Sequence, residues 1–360
     1  MAHPLIGADL ATLSAVFGDA GRIGRRGQAA AIWGAALGRW PATTLERLWL
    51  SRRLPRLEEM PPPIFILGHW RSGTTHLYNV MVQGGFGYVP PLATGLPWDL
   101  FGIGALARPF LDRMLPEGRF IDNIPVTPTS PQEDEIALAN MTPLSFYHGI
   151  YFPRRFRHHL ARGLFFEDCT EAEVAGWRET FTYLMRKLAL HQGAPLLIKN
   201  PVYTARVAML REIFPGAKFI HIHRNPFDVF VSMRNFYRKL FPVMALQPWE
   251  EVDIDAAVLE TYAEMMRRYR EETAELAAPD FIEIAYADLD AAPMAALEQI
   301  YATLELPGFA EAAPRFEAYL SGVKSFKKNA FRRDAEVVEK VQRAWAPFIE
   351  HWGYPIPETA

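Results

Sequence analysis

The chain is 360 residues long, half of them hydrophobic and 13% aromatic, enough for one large α/β core or two small ones and too apolar for global disorder. Lys plus Arg number 38 against 41 for Asp plus Glu, a formal charge of −3 that argues against a nucleic-acid binder. The single cysteine, Cys169, excludes an internal disulfide and a multi-cysteine metal site, and fits a cytosolic compartment.

Residues 5–59 read as helical, Ala- and Leu-rich with arginines on one side. Residues 29–38 are apolar but far short of the roughly 18 needed to span a membrane. The start, MAHPLIGADL, lacks the basic region and apolar run of a secretory signal, so the sequence reads as a soluble, cytoplasmic protein. Residues 40–56 form a basic amphipathic stretch. It reads either as a peripheral contact with the inner membrane face or as a helix capping the domain with snorkelling arginines.

Pro61-Pro62-Pro63 ends this segment, and Ile64-Phe65-Ile66-Leu67 follows as a short apolar run of the buried parallel-strand type. Three similar runs lie at Leu196–Ile198, Phe219–Ile222 and Phe281–Ile284, with helical patterns at 175–192, 203–214 and 255–276 between them. Short apolar strands alternating with longer helices predict an α/β fold, a central parallel sheet covered on both faces. Residues 86–170, rich in Pro, Gly, Phe and Tyr, read as an insertion on the acceptor side of a cleft. Its aromatic residues, Trp98, Phe146, Tyr147, Tyr151 and Phe152 among them, suit a sugar or a lipid, or else plain core.

Directly after the first strand comes Gly68-His69-Trp70-Arg71-Ser72-Gly73-Thr74-Thr75, then a helical pattern, the arrangement that aims backbone N–H groups at an anion. The Gly-x4-Gly spacing matches a Walker A loop, yet Thr74 stands where lysine is required, and Arg71 supplies a cation instead. The strand near 218–222 runs into His223-Arg224-Asn225-Pro226 rather than an acidic residue that would hold Mg²⁺. The loop therefore reads as built for an anion handled without metal, and a P-loop kinase or NTPase fits less well.

At these residues the chain resembles the PAPS-dependent sulfotransferases, which use 3′-phosphoadenosine 5′-phosphosulfate. Arg71–Thr75 resembles their 5′-phosphosulfate loop, and Arg224–Ser232 their 3′-phosphate motif. Lys199-Asn200-Pro201 resembles the Lys-Asp-Pro segment of protein-tyrosine sulfotransferases and related bacterial enzymes, and Tyr286-Ala287-Asp288-Leu289 is similar to the family's Tyr-Glu-Asp-Leu element. The resemblance implies a P-loop-like three-layer αβα domain over 1–360: a helical extension (1–60), a PAPS-binding core (61–310) and a closing loop and helix (311–360). It implies that Arg71, Ser72, Gly73, Thr74 and Thr75 hold the phosphosulfate, Arg224 and Ser232 the 3′-phosphate, with Tyr286 near the nucleotide. Lys199 would face the sulfuryl group, and Lys327 and Asn329 would belong to the closing loop. The product would be 3′-phosphoadenosine 5′-phosphate (PAP), and no metal would take part.

Stabilising charge on the leaving oxygen falls to Arg71 and Lys199. The acceptor hydroxyl also needs a base. Tyrosine and heparan-type relatives carry a catalytic glutamate about twenty residues after the phosphate loop, where this chain has Tyr88-Val89-Pro90-Pro91. Glu133 and Glu135 are the substitutes, in a run that also reads as a capping box of Ser130, Pro131 and Glu133 opening a helix from 136 to 141. His148 is a further candidate base, whereas His69 and His76, flanking the loop, read first as structural. A non-catalytic nucleotide-binding module is the remaining alternative, and a glycan, glycolipid or lipid hydroxyl is the expected acceptor.

Overall fold

A computed structural model describes residues 3–112, 127–323 and 334–358. Contacts divide the chain into two compact units, one of Met1–Pro61, Gly87–Leu196 and Tyr237–Val252, the other of Pro62–Phe86, Leu197–Phe236 and Asp253–Ala360.

The second unit is built on four parallel strands: β1 (Ile64–Leu67), β2 (Leu197–Lys199), β3 (Lys218–His223) and β4 (Phe281–Ala285), in the spatial order β2-β1-β3-β4. Ile64 pairs with both Leu197 and Lys218, and Phe219 pairs with Phe281. All four residues of β1 are buried, which is why it reads as an unbroken apolar run. β4, at the edge, alternates between buried and half-buried positions. Phe65 packs against Tyr203, Phe214 and Phe219, with ring centroids 5.7 to 6.1 Å apart. The helices Thr74–Met81, Val207–Ile213 and Pro226–Met244 follow β1, β2 and β3 respectively, and Ile254–Thr273 precedes β4, the expected alternation of an α/β fold.

The first unit is helical. Helices Leu10–Ala20, Arg26–Leu50 and Glu171–Gln192 are its long elements, and residues 86–170 contribute short ones, such as Pro91–Gly95 and Tyr147–Tyr151. Of the insertion's aromatics, Trp98, Phe146, Tyr147, Tyr151 and Phe152 are buried, so for these the core reading holds. Phe120, another aromatic residue of the insertion, lies outside the described residues.

The predicted capping box does not form. The helix spans Glu135–Ala139 with no side-chain cap, and the Ser130 hydroxyl instead accepts the Thr127 N–H at 2.8 Å. The Gln132 N–H is taken by the Val89 carbonyl (2.9 Å), so the residues just after Ser130 are tied to a distant segment and stay outside the helix.

Candidate functional site

The candidate site lies at the carboxyl ends of the four parallel strands, where open α/β sheets bind ligands. β1 ends at Gly68, whose φ of +139° suits glycine, and a Cβ there would lie 2.5 Å from the Ile222 carbonyl oxygen. The Gly68 N–H donates to the Thr204 hydroxyl (2.8 Å), tying the loop to the turn after β2. Arg71 adopts a left-handed φ of 71° and Gly73 one of 104°. Gly73 opens the helix Thr74–Met81, whose first turn receives no side-chain cap. Uncapped amides at a helix start favour an anion.

Three cations from three strand ends are anchored around this loop. Arg71 Nε donates to Ser232 Oγ at 2.8 Å, which joins the two motifs assigned to opposite ends of one ligand. Lys199, the last residue of β2, is buried, and its Nζ donates to Thr75 Oγ1 at 3.2 Å. Arg224, just beyond β3, donates from Nη1 to the Arg71 carbonyl (3.4 Å), and its guanidinium stands 4.8 Å from the centre of the Tyr286 ring. Asp228, one helical turn on, lies 3.7 Å from Arg224 Nη2. Ser72 Oγ is buried without a hydrogen-bond partner among the described residues, an orphan that a bound oxyanion would satisfy.

Arg71, Ser72, Gly73, Thr74, Thr75, Lys199, Arg224, Ser232 and Tyr286 are thus brought to one place. Lys327 and Asn329 lie outside the described residues. Glu133, Glu135 and His148 belong to the helical unit. Glu135 is buried and accepts from Ser145 Oγ (2.7 Å) and the Phe146 N–H (2.9 Å). His148 is fully buried, and its ring nitrogens each sit 3.0 Å from a backbone oxygen, of Pro143 and Ala139. Burial lowers its pKa from the usual 6.5. His69 is likewise buried, against the Trp70 carbonyl, and held near 4 by that burial.

Sequence reasoning missed the brace behind Arg224. His223 stacks on Trp352, with centroids 4.8 Å apart, and its Nδ1 is 2.7 Å from the Tyr354 hydroxyl. Trp352 Nε1 donates to Glu283 on β4 (3.1 Å), and the other oxygen of Glu283 accepts from Tyr269 (2.5 Å) and lies 2.8 Å from His221. Burial alone would raise the Glu283 carboxyl, but the hydrogen bond and charge of His221, with Tyr269, outweigh it and hold the group near 2. The only signal in the sequence was the polar alternation of His221 and His223 on an otherwise apolar strand.

A parallel α/β sheet with a lysine-free, cation-ringed loop after its first strand defines an α/β protein of the P-loop-like class. Residues 62–311 match the model of the Sulfotransferase family, and the chain belongs to that family. Relatives in Mycobacterium bovis and Mycobacterium tuberculosis, each described as omega-hydroxy-beta-dihydromenaquinone-9 sulfotransferase Stf3, are 30% identical over 329 residues, 91% of this chain and 83% of theirs. In fold it is similar to the crystal structure of sulfotransferase STF9 from Mycobacterium avium (TM-score 0.74, 17% identity, 95% of this chain and 90% of that one). It is also similar to STF1 from Mycobacterium tuberculosis (TM-score 0.63, 17% identity, 94% and 91%). Family membership makes the protein a sulfotransferase and sets aside the kinase alternative.

Proposed function

We propose that the protein transfers the sulfuryl group of PAPS to a hydroxyl of a lipid acceptor and releases PAP. The observation that carries the donor assignment is the convergence of Arg71, Lys199 and Arg224 on one uncapped helix start beside the orphaned Ser72 hydroxyl. Two separated anionic groups on one nucleotide match this spread of cations. Arg224 and Ser232 take the 3′-phosphate, the loop amides and Ser72 take the phosphosulfate, and the Tyr286 ring carries the Arg224 guanidinium on its face.

In the transfer, the acceptor oxygen forms a new bond to sulfur while the bond from sulfur to the bridging phosphate oxygen breaks. The electron pair leaves with PAP, and the acceptor proton passes to a base. Arg71 and Lys199 stabilise the charge that gathers on the bridging oxygen. We assign the base to Glu133 of the acidic run rather than to Glu135, whose carboxylate already accepts from Ser145 and Phe146, or to His148, whose two nitrogens already face carbonyls. The acceptor class is supported by the mycobacterial relatives, described as acting on a hydroxylated menaquinone. A glycan or glycolipid hydroxyl lacks that support.

Calorimetric titration with PAP, without Mg²⁺, tests the donor assignment. Binding to the wild-type chain that disappears in Arg224→Ala is the expected result. If PAP does not bind while ATP with Mg²⁺ does, the assignment fails.

A further inference from the structure

The helix Arg26–Leu50 is turned inside out. Its inward face carries the polar anchors. Arg39 pairs with Asp99 and donates to the carbonyls of Ile6 (2.9 Å) and Ala8 (2.7 Å), and Thr43 donates to Asp99 (2.5 Å). Glu46, also on that face, meets the buried Lys187 at 2.7 Å and accepts from the N–H groups of Phe101 and Gly102. Apart from Ile32 and Leu50, its buried apolar residues are alanines. The large apolar residues point the other way. Leu37, Trp40, Leu45, Leu48 and Trp49 are 44% to 67% exposed, and they are five of the eight exposed large hydrophobics among the described residues. At 3.6 residues per turn, Leu37, Trp40, Leu45 and Leu48 fall within an arc of about 140°.

An ordinary amphipathic helix buries its large apolar residues against its own core. Here ionic and hydrogen-bonded contacts hold the helix in place, which leaves a contiguous apolar strip facing solvent. Such a strip marks a contact surface. Its charge identifies the occupant. Between Arg26 and Glu59 the sequence has six arginines and three acids; with Arg39 and Glu46 turned inward, five arginines remain against the exposed Glu58 and Glu59. Arg52 and Arg53 close one end of the strip and Arg25 and Arg26 the other, all exposed. Arg47 stands beside the strip, 3.5 Å from Asp9. Cations flanking exposed Leu and Trp fit an anionic lipid surface, with leucines below the headgroups and tryptophans at their level. A second copy fits poorly, because two such strips would bring together more arginines than carboxylates.

We propose that this face, centred on Leu37, Trp40, Leu45 and Leu48, seats the enzyme on anionic membranes. The inference uses neither the donor nor the acceptor assignment. Flotation of the full chain with vesicles of phosphatidylcholine alone, or with phosphatidylglycerol added, tests it. The wild type is expected to float with the anionic vesicles and to be released by salt. Trp40→Ser with Leu48→Ser should weaken partitioning roughly ten-fold or more. Arg52→Gln with Arg53→Gln should weaken it by about five-fold for each arginine removed. All four positions are exposed, so melting temperature and PAP binding should match the wild type, which separates lost docking from lost fold or lost nucleotide site. A wild type that stays in solution with anionic vesicles overturns the proposal, as does flotation that the serine variants do not reduce. A concentration-dependent dimer abolished by the same serine variants, without flotation, would assign the face to a second copy instead.

Discussion

Alanine at Gly73 perturbs the phosphate loop where it is tightest. The backbone there has φ 104° and ψ 0°, and a Cβ would fall 2.8 Å from Tyr286 Cε2 and nearer still to Cδ2. Two costs follow. Forcing an L-residue into this region costs roughly 1–2 kcal/mol, and displacing the ring adds about 1–3 kcal/mol. The sum is about 2–5 kcal/mol of stability. The ring cannot simply swing away, because Arg224 lies against it at 4.8 Å. Tyr286→Ala removes the obstacle, so in the double variant the collision disappears and only the backbone cost and the loss of the ring remain. Urea unfolding of wild type, both single variants and the double variant measures the coupling. The double variant should be more stable than the sum of the singles by about 1–3 kcal/mol. If the single costs add to within about 0.5 kcal/mol, or if Gly73→Ala unfolds with the wild type, the close approach of loop and ring is wrong. PAP titration of the same four proteins should show both single variants weakened.

Lys199→Met should lower turnover with PAPS by about 10²–10³-fold while PAP still binds, because in the proposed mechanism the lysine acts on charge that develops only during transfer; single-turnover kinetics beside calorimetry separate the two. Glu135→Ala should cost about 2 kcal/mol or more in urea melts, since it strands the Ser145 hydroxyl and the Phe146 N–H in a buried site. Lys187→Met should cost about 3–5 kcal/mol by leaving Glu46 buried without its ion pair. Acid should destabilise the fold in a defined window. Burial is the chief cause that lowers His3, His69 and His223 from 6.5 to about 4, and His159 to about 3. The unfolded chain therefore takes up protons first, and stability is complete above pH 6.5 and falls toward pH 4, by at most about 1.4 kcal/mol per pH unit for each histidine. Glu283, held near 2 against 4.5, acts in a lower window, with its contribution lost only as pH falls below 4.5. Unfolding at pH 7, 5.5 and 4 checks this, and a flat profile between 7 and 5 would refute it.

Much of the sheet was legible because parallel strands buried on both faces must be apolar throughout, and Pro61-Pro62-Pro63 and the Gly68–Gly73 loop punctuate the first of them. The residues that the fold brings together in the candidate site could be picked out because each motif is contiguous. The contacts between motifs were not: Arg71 and Ser232 are 161 positions apart, and Lys199 and Thr75 are 124 apart. Residues 86–170 defeated periodicity because their short helices are set by distant partners, as when Glu46 takes the amides of Phe101 and Gly102. Ser130 met the local rule for an N-cap and lost its hydroxyl to Thr127, a competition that spacing does not reveal. The brace of Trp352 and Tyr354 on His223 is invisible for the same reason, since it joins residues near the chain's carboxyl end to the inner strand β3.

The helix Arg26–Leu50 shows most clearly what sequence and structure each supply. Its periodicity gives a basic amphipathic stretch, and the ordinary rule turns the apolar face inward. A search for the buried face by hydrophobicity would choose Leu37, Trp40 and Leu48, the side that the fold leaves in solvent. The deciding residues lie elsewhere in the chain: Asp99 and Lys187 offer buried partners to Arg39, Thr43 and Glu46, and once those are made the leucines have no inward place. Anchoring by charge therefore sets the orientation, and orientation converts an unremarkable amphipathic pattern into an exposed apolar strip ringed by arginine. The same logic predicts that Asp99→Asn, which weakens the pairing with Arg39 deep inside the helical unit, should loosen the helix and reduce vesicle flotation without touching the exposed apolar residues themselves.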